Sequence, residues 1–291
     1  MKISVVVPAY NAAHFLPRSL GSVFAQTLKP DEVIVVDDGS TDTTSAVAAE
    51  LGATVVHRTN GGISAARNTG IRSASGDWIA LLDADDCWAP EKLERQVSCI
   101  QSDTVVVYTG VRFVDKRGIR GELSAMAPSV AMKVLRYRNP IAQSTTLVKR
   151  DALLRLGGYR EDISACEDWE LWVRLQKIGK FEAVSAPLMD YYLHENNFSG
   201  NPKIMLRALS LIIDETLLAD LQGLSRWVWR RRINAVQLCS AALIARDNGM
   251  DDDLYYMYRS LSAWPSPFWE PQRFAMFAVS LRNWFRQEKA R

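Results

Sequence analysis

Residues 32–42 read EVIVVDDGSTD, and the apolar run at their start decides the fold. Val33, Ile34, Val35 and Val36 follow one another with no polar alternation. A strand wetted on one face alternates, whereas a strand covered on both faces does not. The run stops abruptly at Asp37 and Asp38, and GSTD then has the composition of a turn entering a capped helix. The pattern recurs. ISVVVP (3–8), TVVHR (54–58) and DWIALLD (77–83) are further buried-strand runs. AHFLPRSLGSVFAQ, TDTTSAVAAELG and GISAARNTGIRSAS have helical spacing between them. Strands apolar throughout and separated by helices predict an α/β fold, a mostly parallel sheet flanked by helices. In such sheets ligands bind beyond the carboxyl ends of the strands. PAYN, DDGSTD and DADD all stand at those ends, so groups distant in sequence should meet at one rim. Helix capping alone is the other reading of Asp38, Ser40 and Asp42.

Further along, a helix is expected near 90–101 and one or two strands over 103–115. IAQSTTLVKRDALLRLGGYRE should form a strand and a helix ended by Gly157 and Gly158. EDWELWVRLQKIG reads as a helix opened by two acids, and APLMDYYLHENNFSGN as a strand running into a polar loop. From about residue 203 the pattern is wholly helical. The expected division is therefore 1–202 as a catalytic domain and 203–291 as a helical C-terminal region.

Composition narrows the function. The 291 residues are 48% hydrophobic and 23% charged with a net charge of +2, which suits a globular chain and implies no nucleic-acid partner. Cys87, Cys99, Cys166 and Cys239 make no CxxC pair and no zinc-ligand spacing with histidine, which fits free thiols in a reducing compartment. MKISVVVPAYN lacks the apolar region and cleavage site of a secretory leader, and no run of ~18 uncharged apolar residues is present. These features lead us to expect a cytoplasmic location.

The chemistry centres on WIALLDADDCW (78–88), where a core strand ends in Asp83, Asp85 and Asp86. Close carboxylates repel and are costly to bury, and a divalent cation taking oxygen ligands relieves both. Mg²⁺ or Mn²⁺ would suit such a site if substrate phosphates supplied further ligands. An acidic turn capping the next helix is the alternative. NGGISAARNTG (60–70) is neither a Walker loop nor a G-x-G-x-x-G turn, and Ala66 breaks a G-x-S-x-G nucleophile elbow. Its Gly-rich helix entry and Arg67 could meet phosphate, or Arg67 could pair with a strand-end aspartate.

Taken together, VVVPAYN, EVIVVDDGSTD, NGGISAARNTGI, GDWIALLDADD and EDWELWVRL occur in the order and at the intervals of the family 2 glycosyltransferases, and residues 1–200 resemble that family. The resemblance implies the GT-A fold, a nucleotide-diphospho-sugar donor with UDP favoured, a divalent metal, and inversion at the anomeric carbon. It assigns Pro8, Ala9 and Tyr10 to the nucleoside pocket, Asp38 to the base or ribose, and Asp83 to the nucleoside side of the donor. Asp85 becomes the metal ligand, with Asp86 assisting. Asp168 becomes the catalytic base, with Glu167 beside it. A base at the start of a helix is expected to be kept ionised by the helix dipole and free N–H groups. YYLHENNFSGN (191–201) resembles a loop closing over the donor, with His194 completing the metal shell or touching the diphosphate and Ser199 following it. Asn196, Asn197 and Gly200 suit a mobile lid. Trp169 and Gln143, with Ser144, fall where relatives line the acceptor cleft, and Trp172 reads as core.

The C-terminal region holds five of the nine tryptophans. RWVWRRR (226–232) is basic and aromatic. Phe274, Phe277, Ala278, Leu281, Trp284 and Phe285 form a helical stripe with Arg273, Arg282 and Arg286 off its centre. Such a stripe can pack on the catalytic domain, on a second copy in a homodimer, or on an anionic membrane at its inner face. The last would suit a glycan or lipid-linked glycan acceptor. A sugar-nucleotide nucleotidyltransferase is disfavoured, because PAYNAAH replaces the Gly-rich loop with Arg and Lys expected after strand one. A binding protein without activity is disfavoured by the presence of both Asp85 and Asp168.

Overall fold

The computed structural model describes residues 1–194, 201–267 and 269–288, with backbone alone from 283. The buried runs become β1 (Ile3–Ala9), β2 (Glu32–Asp37), β3 (Thr54–His57) and β4 (Trp78–Leu81). All seven residues of β1 are buried, which is why its sequence shows no alternation. β1 lies between β2 and β4, and β2 carries β3 at the edge, all in parallel. This half of the sheet is as the apolar runs predict. The second half is mixed. β8 (Leu147–Lys149) runs antiparallel between β4 and the long β6 (Thr104–Asp115). β9 (Lys180–Tyr192) pairs parallel with β6, and the short β5 (Cys87–Trp88) pairs antiparallel with β9. β7 (Gly118–Leu123) folds back on β6.

Helices cover this sheet for identifiable reasons. α1 (Leu16–Phe24) buries Leu16, Leu20 and Val23, the i, i+4, i+7 face. α2 (Thr44–Glu50) buries Thr44 and Ala48. α3 (Ile63–Ser73) lies unusually close to the sheet, because a Cβ on Gly70 would sit 2.3 Å from Val6 Cγ1. α4 (Lys92–Val97), α5 (Pro128–Val134), α6 (Arg150–Arg155) and α7 (Glu167–Leu175) complete the set.

The chain divides into two compact units, Met1–Lys133 with Asn139–His194, and Val134–Arg138 with Glu195–Arg291. In the second, Asn201 caps α8 (Pro202–Ile212) by accepting from the N–H groups of Lys203 and Ile204. A π turn over Ile213–Leu217 leads on to α9 (Gly223–Asp247), α10 (Asp253–Ala263) and α11 (Gln272–Glu288). Leu238, Ala241, Ala242 and Ala245 of α9 meet Tyr256 and Met257 of α10, with Phe277 of α11 against them.

The basic run 226–232 is largely paired inside this unit. Arg226 and Arg230 pair with Asp214. Arg231 donates to the carbonyls of Ser262 and Ala263, which end α10. The Arg232 guanidinium lies 4.8–5.4 Å from the rings of Trp229, Trp264 and Trp269. Arg273, expected off the apolar stripe, is instead 1% exposed, because its guanidinium caps the carbonyls of Ser260 and Trp264. Ala278 of the expected stripe is exposed. Trp284, Phe285 and Arg286 lie outside the described side chains. Leu224 and Trp227 remain solvent-facing at the start of α9. Among the described residues no helix is long and apolar enough to cross a membrane.

Candidate active site

The parallel register puts the ends of β1 and β2 side by side, with Ala9 opposite Asp37. Pro8 and Ala9 are buried in the strand and Tyr10 emerges with half its surface exposed. The two following loops are stitched together. Thr41 N–H donates to Asn11 Oδ1 at 2.8 Å, and Asn11 N–H to Ser40 Oγ at 2.9 Å. Asp37 accepts from Ser40 N–H and Ser45 Oγ. Burial works to raise its pKa, but these bonds outweigh it and hold the carboxyl below its ordinary range. Asp38 is buried and pairs with Arg58 while accepting from the N–H groups of Gly61 and Gly62. A Cβ on Gly61 would strike the Arg58 guanidinium at 2.6 Å. The acid expected to meet the base therefore already serves to hold the Gly-rich entry to α3.

Arg67 and Asn68 of the ARNTG stretch in α3 each have a physical task. Arg67 is 2% exposed. Its Nη2 lies 2.7 Å from Asp83 Oδ1 and its Nη1 2.7 Å from Glu167 Oε1. Burial alone would discharge it, yet the two carboxylates raise its pKa above the ordinary arginine value. Asn68 bonds to both backbone groups of Tyr159, accepting from its N–H and donating to its carbonyl, each at 2.8 Å. The pairing of Arg67 with a strand-end aspartate, one of its two readings, is thus present, with Glu167 as a second partner.

The three acids after β4 go three ways. Asp83 faces Arg67, and its N–H donates to Ser144 Oγ at 3.0 Å. Asp85 Oδ2 lies 2.9 Å from His194 Nε2, whose ring stacks on Phe15 at 4.9 Å. Arg18 donates to the Asp85 carbonyl at 2.6 Å and lies over the Tyr192 ring. Asp86 corrects an expectation. It is turned inward, 2% exposed, and its pKa is raised first by burial and then by Asp85 and Asp83. A carboxyl turned into the interior in this way is less available to a cation at the rim than Asp85.

Asp85 and His194 can offer a cation one oxygen and one imidazole nitrogen, chemistry that fits Mn²⁺ with substrate oxygens completing the shell. Among the described residues no three His, Cys, Asp or Glu side chains are grouped as a metal cage. The expected lid residues Asn196, Asn197, Ser199 and Gly200 lie outside the described residues.

At the opposite wall, Cys166 adopts a left-handed backbone (φ 61°) and turns the chain into α7. Asp168 Oδ2 accepts from Asn139 Nδ2 at 2.9 Å, and Oδ1 accepts from Trp169 N–H at 2.6 Å. Its pKa is pushed up to about 7, first by burial and then by the neighbouring Glu167 carboxylate; Arg67 and the Trp169 N–H pull the other way. The helix start is expected to keep Asp168 ionised, and burial and the adjacent acid work against it here. Desolvation and an adjacent acid outweigh the dipole here.

The Glycosyl transferase family 2 profile matches residues 4–155, just over half of the chain. The chain belongs to that family. An Escherichia coli relative, UDP-Glc:alpha-D-GlcNAc-diphosphoundecaprenol beta-1,3-glucosyltransferase WfgD, is 29% identical over 68% of this chain and 80% of its own. Two Rickettsia relatives described as uncharacterized glycosyltransferases are 26% identical over 61% of this chain, which spans 59% of their length. Among solved structures, Staphylococcus aureus TarS 1–349 in complex with UDP-GlcNAc aligns with a TM-score of 0.66, 23% identity, and 90% and 81% coverage of this chain and of TarS. The mannosyltransferase PcManGT of Pyrobaculum calidifontis, in complex with GDP-Man and Mn2+, aligns with a TM-score of 0.62, 20% identity, and 96% and 85% coverage. These neighbours carry the GT-A fold.

Against this family 2 frame, the two residues expected on the acceptor side both lie covered. Trp169 is 2% exposed and lies in the interior with Trp172. Gln143 is 7% exposed, with its Nε2 donating to the buried Tyr159 hydroxyl at 2.7 Å. Both are covered because α7 and the turn over Gln143–Thr145 pack inward. Ser144 supports the acid turn through Asp83. Asn139 was missed by sequence reading. Its one signal is Pro140, since a residue before proline is held extended.

Proposed function

We propose that this family 2 chain is a metal-dependent, inverting glycosyltransferase that moves a sugar from a nucleotide-diphospho-sugar, UDP-linked by preference, to a glycan hydroxyl. The observation that carries the reading is the Arg67 bridge, which ties the acid turn after β4 to the start of α7. The donor-side carboxylate of Asp83 and the base-side carboxylate of Glu167, the latter 100 residues from Arg67 in sequence, are thereby held together by one buried cation.

In this reading Tyr10 and Asp38 flank the nucleoside, and Asp83 meets the donor's nucleoside side. Asp85 and His194 would hold Mn²⁺ or Mg²⁺, and a bound cation offsets the charge left on the departing diphosphate. Asp168 takes the proton of the acceptor hydroxyl as it attacks the anomeric carbon from the face opposite the diphosphate. A base whose pKa lies near the working pH suits that transfer, typically contributing about 10²–10⁴-fold. Glu167 stays paired with Arg67 beside the base.

A lipid-linked acceptor at the inner face of the membrane is supported by the diphosphoundecaprenol named for WfgD. Residues 1–202 would then form the catalytic domain and 203–291 its helical companion. The test is a screen of sugar nucleotides with Mn²⁺ or Mg²⁺, read by thermal shift and slow donor hydrolysis. One nucleotide class should stabilise the chain, and Asp168→Asn should keep that shift while losing hydrolysis and transfer. Transfer at the parental rate by Asp168→Asn would refute the assignment of the base.

A further inference from the structure

Asn139 is the first residue of the sheet-bearing unit after the excursion of residues 134–138. Its amide is fixed from two sides. Oδ1 accepts from the Ile141 N–H at 3.1 Å, so Nδ2 must be the atom turned to Asp168 Oδ2 at 2.9 Å. Pro140 restricts the backbone of Asn139 from the other direction. The donor is thus pre-aimed at the carboxylate and does not have to be ordered when an acceptor arrives.

We propose that Asn139 is a positioning residue for the proposed transfer, fixing the rotamer of the Asp168 carboxylate and bonding to its anion. The proposal rests on the reading of Asp168 as the base. With Oδ1 engaged by Trp169 N–H and Oδ2 by Asn139, the carboxylate plane is set by two donors. One lone pair of Oδ2 remains for an incoming hydroxyl. The charged and titratable groups bearing on Asp168 are Glu167 on its own helix, Cys166 just before that helix, Arg67 from α3, Asp83 from the turn after β4, and Tyr159 after α6. Glu167 and Asp83 oppose ionisation and Arg67 favours it. Asn139 is a second uncharged donor, beside the Trp169 N–H, that adds to Arg67, because a hydrogen bond to a carboxylate stabilises the charged form.

The substitution that separates position from packing is Asn139→Asp. It keeps the shape and an oxygen for the Ile141 N–H, but removes the donor and sets a carboxylate beside Oδ2. Asn139→Ala removes both. The measurement is the titration of the Asp168 carboxyl carbon in the full-length chain without donor, by carbon-13 NMR of aspartate-labelled protein, assigned against Asp168→Asn. In Asn139→Ala the midpoint should rise by about one unit, the scale of a hydrogen bond to a charged group. In Asn139→Asp, whose folding is checked by its thermal transition, it should rise further, because a like charge then stands beside Oδ2. A midpoint unchanged in Asn139→Asp would overturn the proposal, even if Asn139→Ala proved unfolded. Because no donor is present, this result stands apart from whether the chain transfers sugar.

Discussion

Nη1 of Arg67 lies 2.7 Å from Oε1 of Glu167 across 100 residues of sequence, and the same guanidinium holds Asp83. One buried cation between two acids cannot be removed cheaply, because both carboxylates would then stand unpaired and partly desolvated. Arg67→Met should destabilise the chain by about 3–5 kcal/mol in denaturant titration. It should also raise the Asp168 midpoint, since Arg67 favours its ionised form.

Asp168 sets the expected pH dependence. With its pKa pushed up to about 7, transfer should climb as pH rises through that value and level off above it. The stability effect has the opposite sign. Between the ordinary carboxylate range and about 7 the folded chain holds this proton and the unfolded chain does not. This group's contribution to stability is therefore lost as pH rises across that interval. Asp168→Asn should flatten that part of the stability profile, as read by chemical denaturation at successive pH values.

Removal of divalent metal bears on Asp85 and His194. Calorimetry with UDP should give measurable heat with Mn²⁺ present and a several-fold weaker signal with chelator. His194→Ala should weaken the metal-dependent part and leave thermal unfolding near the parental value. Equal heats with and without chelator would remove Asp85 from the proposed role.

Lys92 is fully buried, with its Nζ 2.8 Å from Gln96 Oε1 and 4.1 Å from the Trp88 ring centroid. Burial drives its pKa well below the ordinary lysine value. The folded chain therefore binds fewer protons there than the unfolded chain below the ordinary lysine pKa, and stability should rise with pH across that range. Lys92→Met, of similar length, should abolish this slope and leave the chain more stable at neutral pH. Gln96 would keep its bonds to the carbonyls of Val107 and Thr145.

Much of the framework is legible from local chemistry. Val33–Val36 and Val5–Val7 announce strands covered on both faces because no polar residue interrupts them. Their ends announce the rim because polar residues take over there, Asn11 after β1 and Asp37 and Asp38 at the end of β2. What stays hidden depends on direction, which a linear pattern lacks. Asp83, Asp85 and Asp86 look alike in sequence, yet the turn sends one to Arg67, one to His194 and one inward. Trp169 and Gln143 look exposed beside polar neighbours, and tertiary packing covers both. The antiparallel entry of β8 between β4 and β6 is equally silent, since the short Leu-Val-Lys run carries no sign of strand direction.

The five residues 134–138 belong to the helical unit although chain lies on both sides of them in the other unit. Tyr137 packs against Trp229 and Trp269, Arg136 pairs with Asp220, and Arg138 pairs with Glu270. A fragment ending at residue 194 would therefore strip an internal stretch of its neighbours immediately before Asn139. Cutting the chain after residue 194 is not a neutral way to isolate the sheet-bearing unit, because the helices removed are the support of a segment that lies within that unit in sequence.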